Sequence, residues 1–127
     1  MYINFKGKEL ELSFGLKFLR IIDKVMAMES ENISFGQGTQ MLVPRLEMAD
    51  AVSLSYIIEA ATAHHNKAPK TESELETVIE DIAEEHGIEE FCQDIIKELG
   101  KRVMTQNLVP DEYKEAKKAK KLSLIHI

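Results

Sequence analysis

The stretch Ile3-Asn4-Phe5-Lys6-Gly7-Lys8-Glu9-Leu10-Glu11-Leu12-Ser13-Phe14-Gly15-Leu16-Lys17-Phe18-Leu19-Arg20-Ile21-Ile22 decides the fold, because its apolar period changes part-way along. Ile3 and Phe5 alternate with Asn4 and Lys6, and Leu10 and Leu12 alternate with Glu9, Glu11 and Ser13. A period of two puts those four apolar side chains on one face of a strand pair. Gly7-Lys8 lies between the two runs, and the glycine permits the positive φ that a tight hairpin turn needs. Isolated hairpins are marginal in water, so this one must rest on something else.

From residue 14 onward the period lengthens. Leu16, Leu19, Ile22 and Met26 recur at three and four, widened by Phe18, Ile21 and Val25, while Lys17, Arg20, Asp23 and Lys24 hold the other side. That pattern predicts an amphipathic helix over residues 14–28, with Ser13 as its N-cap. Residues 29–38 read as a polar connection ending in the turn Gly36-Gln37-Gly38. Thr39 is placed to cap a short helix through Met41, Leu42 and Leu46, with Pro44 tolerable only in its first turn. Asp50 caps a further helix bearing Val52, Leu54, Ile57, Ile58 and Ala61, which fades at His64-His65-Asn66. Thr71-Glu72-Ser73-Glu74 is a capping box for a helix through Leu75, Val78, Ile79 and Ile82 that stops at His86-Gly87. A last helix carries Ile88, Phe91, Ile95, Leu99 and Val103. The fold class is therefore α+β and mostly α: an N-terminal β-hairpin followed by a bundle of four or five helices.

With 127 residues, 44% of them hydrophobic, the chain can bury one real core without staples. The lone cysteine, Cys92, excludes an internal disulfide framework and suits a cytoplasmic protein. Met1-Tyr2-Ile3-Asn4-Phe5-Lys6 lacks the basic start and apolar core of a signal peptide, and no window approaches a membrane span.

Charge is unevenly spread. Residues 1–70 are balanced, residues 71–99 hold eleven acidic side chains against Lys97, and residues 100–121 hold seven basic against three acidic. The acidic block argues against nucleic acid as a partner, since phosphate binding needs a positive footprint. It reads first as a solvated face, and second as an electrostatic docking surface for a basic partner.

Catalytic constellations are weak throughout. Adjacent on a helix, His64 and His65 diverge by about a hundred degrees and make a poor metal pair. His86 reads as a helix-end charge partner. Cys92, among Phe91, Ile95 and Ile96, reads as a small buried hydrophobe. Gly36-Gln37-Gly38 lacks the lysine of a phosphate loop. The carboxylates from Glu72 to Glu90 lie on polar helix faces, without the burial that separates the pKa values of a catalytic pair. No catalytic residue, metal ligand or cofactor site is expected.

Asn4-Phe5-Lys6-Gly7-Lys8-Glu9-Leu10-Glu11-Leu12 followed by Phe14-Gly15-Leu16-Lys17-Phe18-Leu19-Arg20-Ile21-Ile22-Asp23 resembles the opening of tail assembly chaperones from long-tailed phages of Gram-positive bacteria. Those proteins run a hairpin into a helix beginning F-G-x-x-F-x-R-x-x-D. The likeness continues through Phe35-Gly36-Gln37-Gly38, Met41-Leu42-Val43-Pro44-Arg45-Leu46, Ala60-Ala61-Thr62-Ala63 and Lys67-Ala68-Pro69-Lys70-Thr71-Glu72, covering residues 1–105. Lys6 departs from it where the family turn often has asparagine. The resemblance implies a non-enzymatic protein of the host cytoplasm that binds the tape measure protein, keeps it soluble, helps recruit tail tube subunits and is absent from the mature virion. It also implies a frameshifted longer product whose slippery codons would lie in the lysine-rich residues 115–121, while a homo-oligomer is left open by the sequence. The alternative is a structural tail completion or connector protein of the virion.

Phe91, Ile95 and Leu99 are candidates for the partner surface, against the more ordinary reading as core, because core and interface share one periodicity. Three segments are expected: a chaperone-like domain at 1–105, a basic flexible tail at 106–121, and a non-native end at 122–127. The last, Leu122-Ser123-Leu124-Ile125-His126-Ile127, is the translation of a common transposase-library adapter, so the native frame is expected to be cut at or near Lys121.

Overall fold

Strand β1 (Tyr2–Phe5) turns through Lys6 and Gly7 into β2 (Lys8–Glu11), and the two pair antiparallel with Phe5 opposite Lys8 and Tyr2 opposite Glu11. This is seen in a computed structural model that describes residues 1–29 and 37–113. Lys6 has φ +51° and Gly7 φ +76°. Two left-handed residues in a two-residue loop are the type I′ arrangement, whose twist matches that of the strands. Gly7 was the expected left-handed residue, but the loop is Lys6-Gly7 and not Gly7-Lys8, because Lys8 already pairs with Phe5 as the first residue of β2. Lys6 joins Gly7 at a steric cost of about 1 kcal/mol, because its Cβ crowds the following carbonyl. Ile3, Phe5, Leu10 and Leu12 face inward and are buried, as their alternation requires.

Helix α1 (Leu16–Glu29) follows. Its first turn closes from Leu19 N–H to the Gly15 carbonyl, so Gly15 stands where Ser13 was expected; the Ser13 N–H goes instead to the carbonyl of Ala61. The buried edge is Phe18, Ile22 and Met26, spaced by four. Leu16 belongs to the expected stripe but is 52% exposed. It sits about 200° around the helix from Phe18, on the opposite side.

A 3-10 turn, Gly38–Met41, runs directly into α2 (Leu42–Met48). Thr39 lies inside that turn; Gln37 holds the N-cap position and makes no side-chain cap bond. Pro44 falls in the first turn of α2, where its missing N–H orphans nothing. Ala49, at φ +54°, ends α2, and Asp50 opens α3 (Ala51–Ala61) by accepting from the Ser53 N–H at 2.8 Å and the Ser53 hydroxyl at 2.7 Å. Helix α4 (Glu72–Glu85) begins with the expected capping box: the Thr71 hydroxyl accepts from the Glu74 N–H at 3.1 Å, and the Glu74 carboxylate accepts from the Thr71 N–H at 3.2 Å. Gly87, at φ +87°, leads into α5 (Ile88–Lys101).

Helix α5 stops before Val103, which is 80% exposed and lies off the stripe expected to include it. The cause is Thr105, whose buried hydroxyl donates to the Leu99 carbonyl at 2.7 Å and turns the chain back. After a second 3-10 turn, Gln106–Leu108, Val109 re-enters the core. Packing against the core thus extends to Val109, beyond the residues 1–105 that the resemblance covers. Phe35, Gly36, the lysine-rich residues 115–121 and the end at 122–127 lie outside the described residues.

One core joins all the elements. Helix α1 packs on α3 and the first 3-10 turn, α2 on α5, α3 on α4, and α4 also meets β1. Among the described residues no helix is long and apolar enough to cross a membrane.

Candidate partner surface

Helix α4 buries Leu75, Val78, Ile79 and Ile82, which turns Glu72, Glu76, Glu80, Asp81, Glu84 and Glu85 to solvent. Glu89 and Glu90, in the first turn of α5, continue the acidic face. Negative charge in a first turn favours each helix through its dipole. Exposure removes what a catalytic carboxylate pair needs, a dry site that separates two pKa values. Glu74 alone has a strong local setting. The Thr71 backbone N–H, then the Lys6 ammonium at 3.1 Å, then the Lys70 backbone N–H hold its carboxyl at about 2. That arrangement ties the hairpin turn to the start of α4 and is structural.

His65 serves the fold. His65 Nε2 lies 2.9 Å from the Glu11 carbonyl, joining the turn after α3 to the outer edge of β2. The His64 and His65 ring centres lie 3.9 Å apart with the planes tilted by 42°. Burial, His65 and Lys17 lower the His64 pKa, and Glu11 opposes them. Neither imidazole was expected to reach back to the hairpin. That contact spans 54 residues and has no local signature. Cys92 is buried, and desolvation, with Asp50 nearby, pushes its thiol up to about 11, far from a nucleophile's range.

Phe91, Ile95 and Leu99, the candidates for partner contact, are 3%, 0% and 0% exposed. They fill the core between α5 and its neighbours, and of the three only Phe91 also borders the groove between β1 and α4. Solvent instead reaches Tyr2, Leu16, Met28, Met48, Val52, Val103 and Met104. Met48 and Val52 flank the Ala49–Asp50 corner, and flexible methionines suit adaptable contact surfaces. Of these, periodicity assigned Leu16, Val52 and Val103 to buried stripes. A shallow groove runs between β1 and α4, lined by Tyr2, Ile3 and Asn4 on one side and by Val78, Asp81, Ile82 and Glu85 on the other, with His86 and Phe91 at its end.

The sequence model of a family described as phage tail assembly chaperone protein, TAC, matches residues 2–112. The chain belongs to the phage tail assembly chaperone family. Neither a curated protein nor a solved structure matches it.

In this chaperone the residues that carry the family resemblance build the fold. The Phe14 and Phe18 rings meet edge to face at 5.1 Å and 84°, and the Arg102 guanidinium sits 5.6 Å from the Phe14 ring centre. Asp23 accepts the Gly38 N–H at 2.8 Å. The chaperone's signature therefore docks the 3-10 turn on α1 and closes the core.

Proposed function

We propose that this chaperone binds the tape measure protein, keeps that long helical chain soluble and helps bring tail tube subunits to it, without catalysis. The observation that carries the reading is the family match over residues 2–112. The physical layout supports it. A binder that uses no nucleotide works stoichiometrically, and it needs charge to stay soluble while its partner's apolar segments are covered. The solvated carboxylates of α4 and α5 supply that charge. The protein acts in the host cytoplasm and leaves before the virion matures. A frameshifted longer product, arising at the codons for residues 115–121, belongs to the same proposal and is legible directly in the DNA.

The test is co-expression with the tape measure protein of the same phage. Soluble tape measure that co-purifies with the chaperone, together with mature tails lacking the chaperone, is the expected result. Insoluble tape measure beside abundant folded chaperone overturns the reading. Fixed copies of the chain in purified particles would instead make it a virion component.

A further inference from the structure

The two edges of the hairpin are not treated alike. In the type I′ hairpin Phe5 and Lys8 flank the turn and exchange hydrogen bonds, so bonded pairs alternate with unbonded ones away from it. The Leu12 N–H donates to the Met1 carbonyl at 2.9 Å, which confirms that phase at the far end. Tyr2 and Asn4 therefore aim their N–H and C=O groups away from β2, and Glu9 and Glu11 aim theirs away from β1. On the β2 side the outward Glu11 carbonyl meets His65, and the next N–H, that of Ser13, meets Ala61. Among the described residues nothing pairs with the outward groups of Tyr2 and Asn4. An open strand edge is a template for another strand, and folded proteins usually block it.

Beside this edge lies the groove described above. Its floor is formed by the nearly buried Ile3, Val78, Ile82 and Phe91, and Asp81 and Glu85, one helical turn apart, stand exposed on its α4 side. We infer that the outer edge of β1 is a docking site for an extended, basic segment of a partner chain, which adds a third strand to the hairpin. Backbone bonds to Tyr2 and Asn4 hold the segment. An apolar side chain enters the groove, and lysine or arginine side chains meet Asp81 and Glu85. Backbone pairing supplies affinity without sequence preference, while the alternate side chains and the charge choose the segment. Charge complementarity commits the site to a basic strand, because the charged side chains that line it, Asp81 and Glu85, are both acidic and exposed. The assignment holds whichever protein supplies the segment, so it does not depend on the tape measure reading.

The probe is a labelled heptapeptide of alternating lysine and valine, added to the full chain at low salt and followed by anisotropy and amide exchange. Saturable binding with slowed exchange at the Tyr2 and Asn4 amides is expected, and an alternating glutamate–valine peptide should not bind. The double variant Asp81→Asn, Glu85→Gln should weaken binding roughly tenfold, as loss of two rim charges does. Tyr2→Pro, which deletes one outward N–H and no ladder bond, should weaken it independently. Three results overturn the inference: no saturable binding, binding that leaves both amides exchanging as before, or amides already slow before peptide is added. The last means that residues of the same chain or a second copy occupy the edge.

Discussion

Gly38 presses its bare Cα against the main chain of Asp23, so closely that a Cβ built on it falls 2.9 Å from both the carbonyl carbon and the Cα of Asp23, and closer still to the oxygen. The same approach lets the Asp23 carboxylate take the Gly38 N–H at 2.8 Å. Space, and not a positive φ, demands glycine here. Gly38→Ala should therefore destabilise the protein by about 2–3 kcal/mol, because backbone must move to admit the methyl. Urea denaturation checks it, with Gly100→Ala as the control. At Gly100 a Cβ meets only Val109 methyls at 3.8 Å, so that change should stabilise α5 by about 0.5 kcal/mol through helix propensity. Equal losses from the two variants would refute the crowding argument.

Lys6 carries a left-handed φ of +51° that asparagine or glycine tolerates better. Lys6→Asn should raise stability by about 0.5 kcal/mol, since the relieved strain exceeds what an exposed ion pair contributes. The same variant should raise the Glu74 pKa, because the Lys6 ammonium is the second largest influence holding it down. Urea midpoints and carboxyl NMR titration read the two effects separately.

The Glu74 carboxyl titrates at about 2 in the folded chain, against 4.5 ordinarily. A depressed folded pKa means that the unfolded chain takes up the proton more readily. The contribution of Glu74 is complete above pH 4.5 and disappears as pH falls through about 2. Glu74→Gln should flatten that part of the stability–pH curve and leave the curve above pH 5 parallel to that of the unaltered chain. An unchanged acid slope would show that the cap does not titrate with folding.

Cys92 should be inert to a disulfide reagent at pH 8, since burial pushes its thiol up to about 11. Denaturant should release one reactive thiol, with the midpoint of global unfolding. Fast labelling of the native chain would mean that α5 opens locally.

Ile95→Ala and Leu99→Ala should each cost about 2–5 kcal/mol, as fully buried aliphatic truncations do. Any loss of partner binding in these variants should track unfolding and recover at low temperature. Loss of binding with unchanged stability would restore them as contact residues.

Much of the architecture was legible locally. The change of period after Leu12 separated hairpin from helix, Asp50 and the Thr71–Glu74 box announced two helix starts, and Gly87 marked a stop. Each signal depends on neighbours within about one turn, so the sequence contains the whole cause. Where the reading strayed, the cause lay far along the chain. Ser13 looked like a cap, but its N–H is taken by Ala61, and α1 begins later. Val103 fitted the stripe of α5, but Thr105 turns the chain before it. Gly38 read as a loose turn, although its neighbour in space is Asp23.

For this chaperone, then, the order and kind of elements, the acidic second half and the family follow from the sequence alone, because periodicity, caps and charge are written residue by residue. Which apolar side chains are core and which meet solvent was decided only by the tertiary packing. Phe91, Ile95 and Leu99 are buried while Val52 and Val103, equally periodic, are exposed. The same holds for the hairpin: alternation sets its inward face, but only the arrival of His65 at β2 covers that edge, while among the described residues nothing pairs with the outer edge of β1. Burial is a property of what packs against a side chain, and those partners lie tens of residues away.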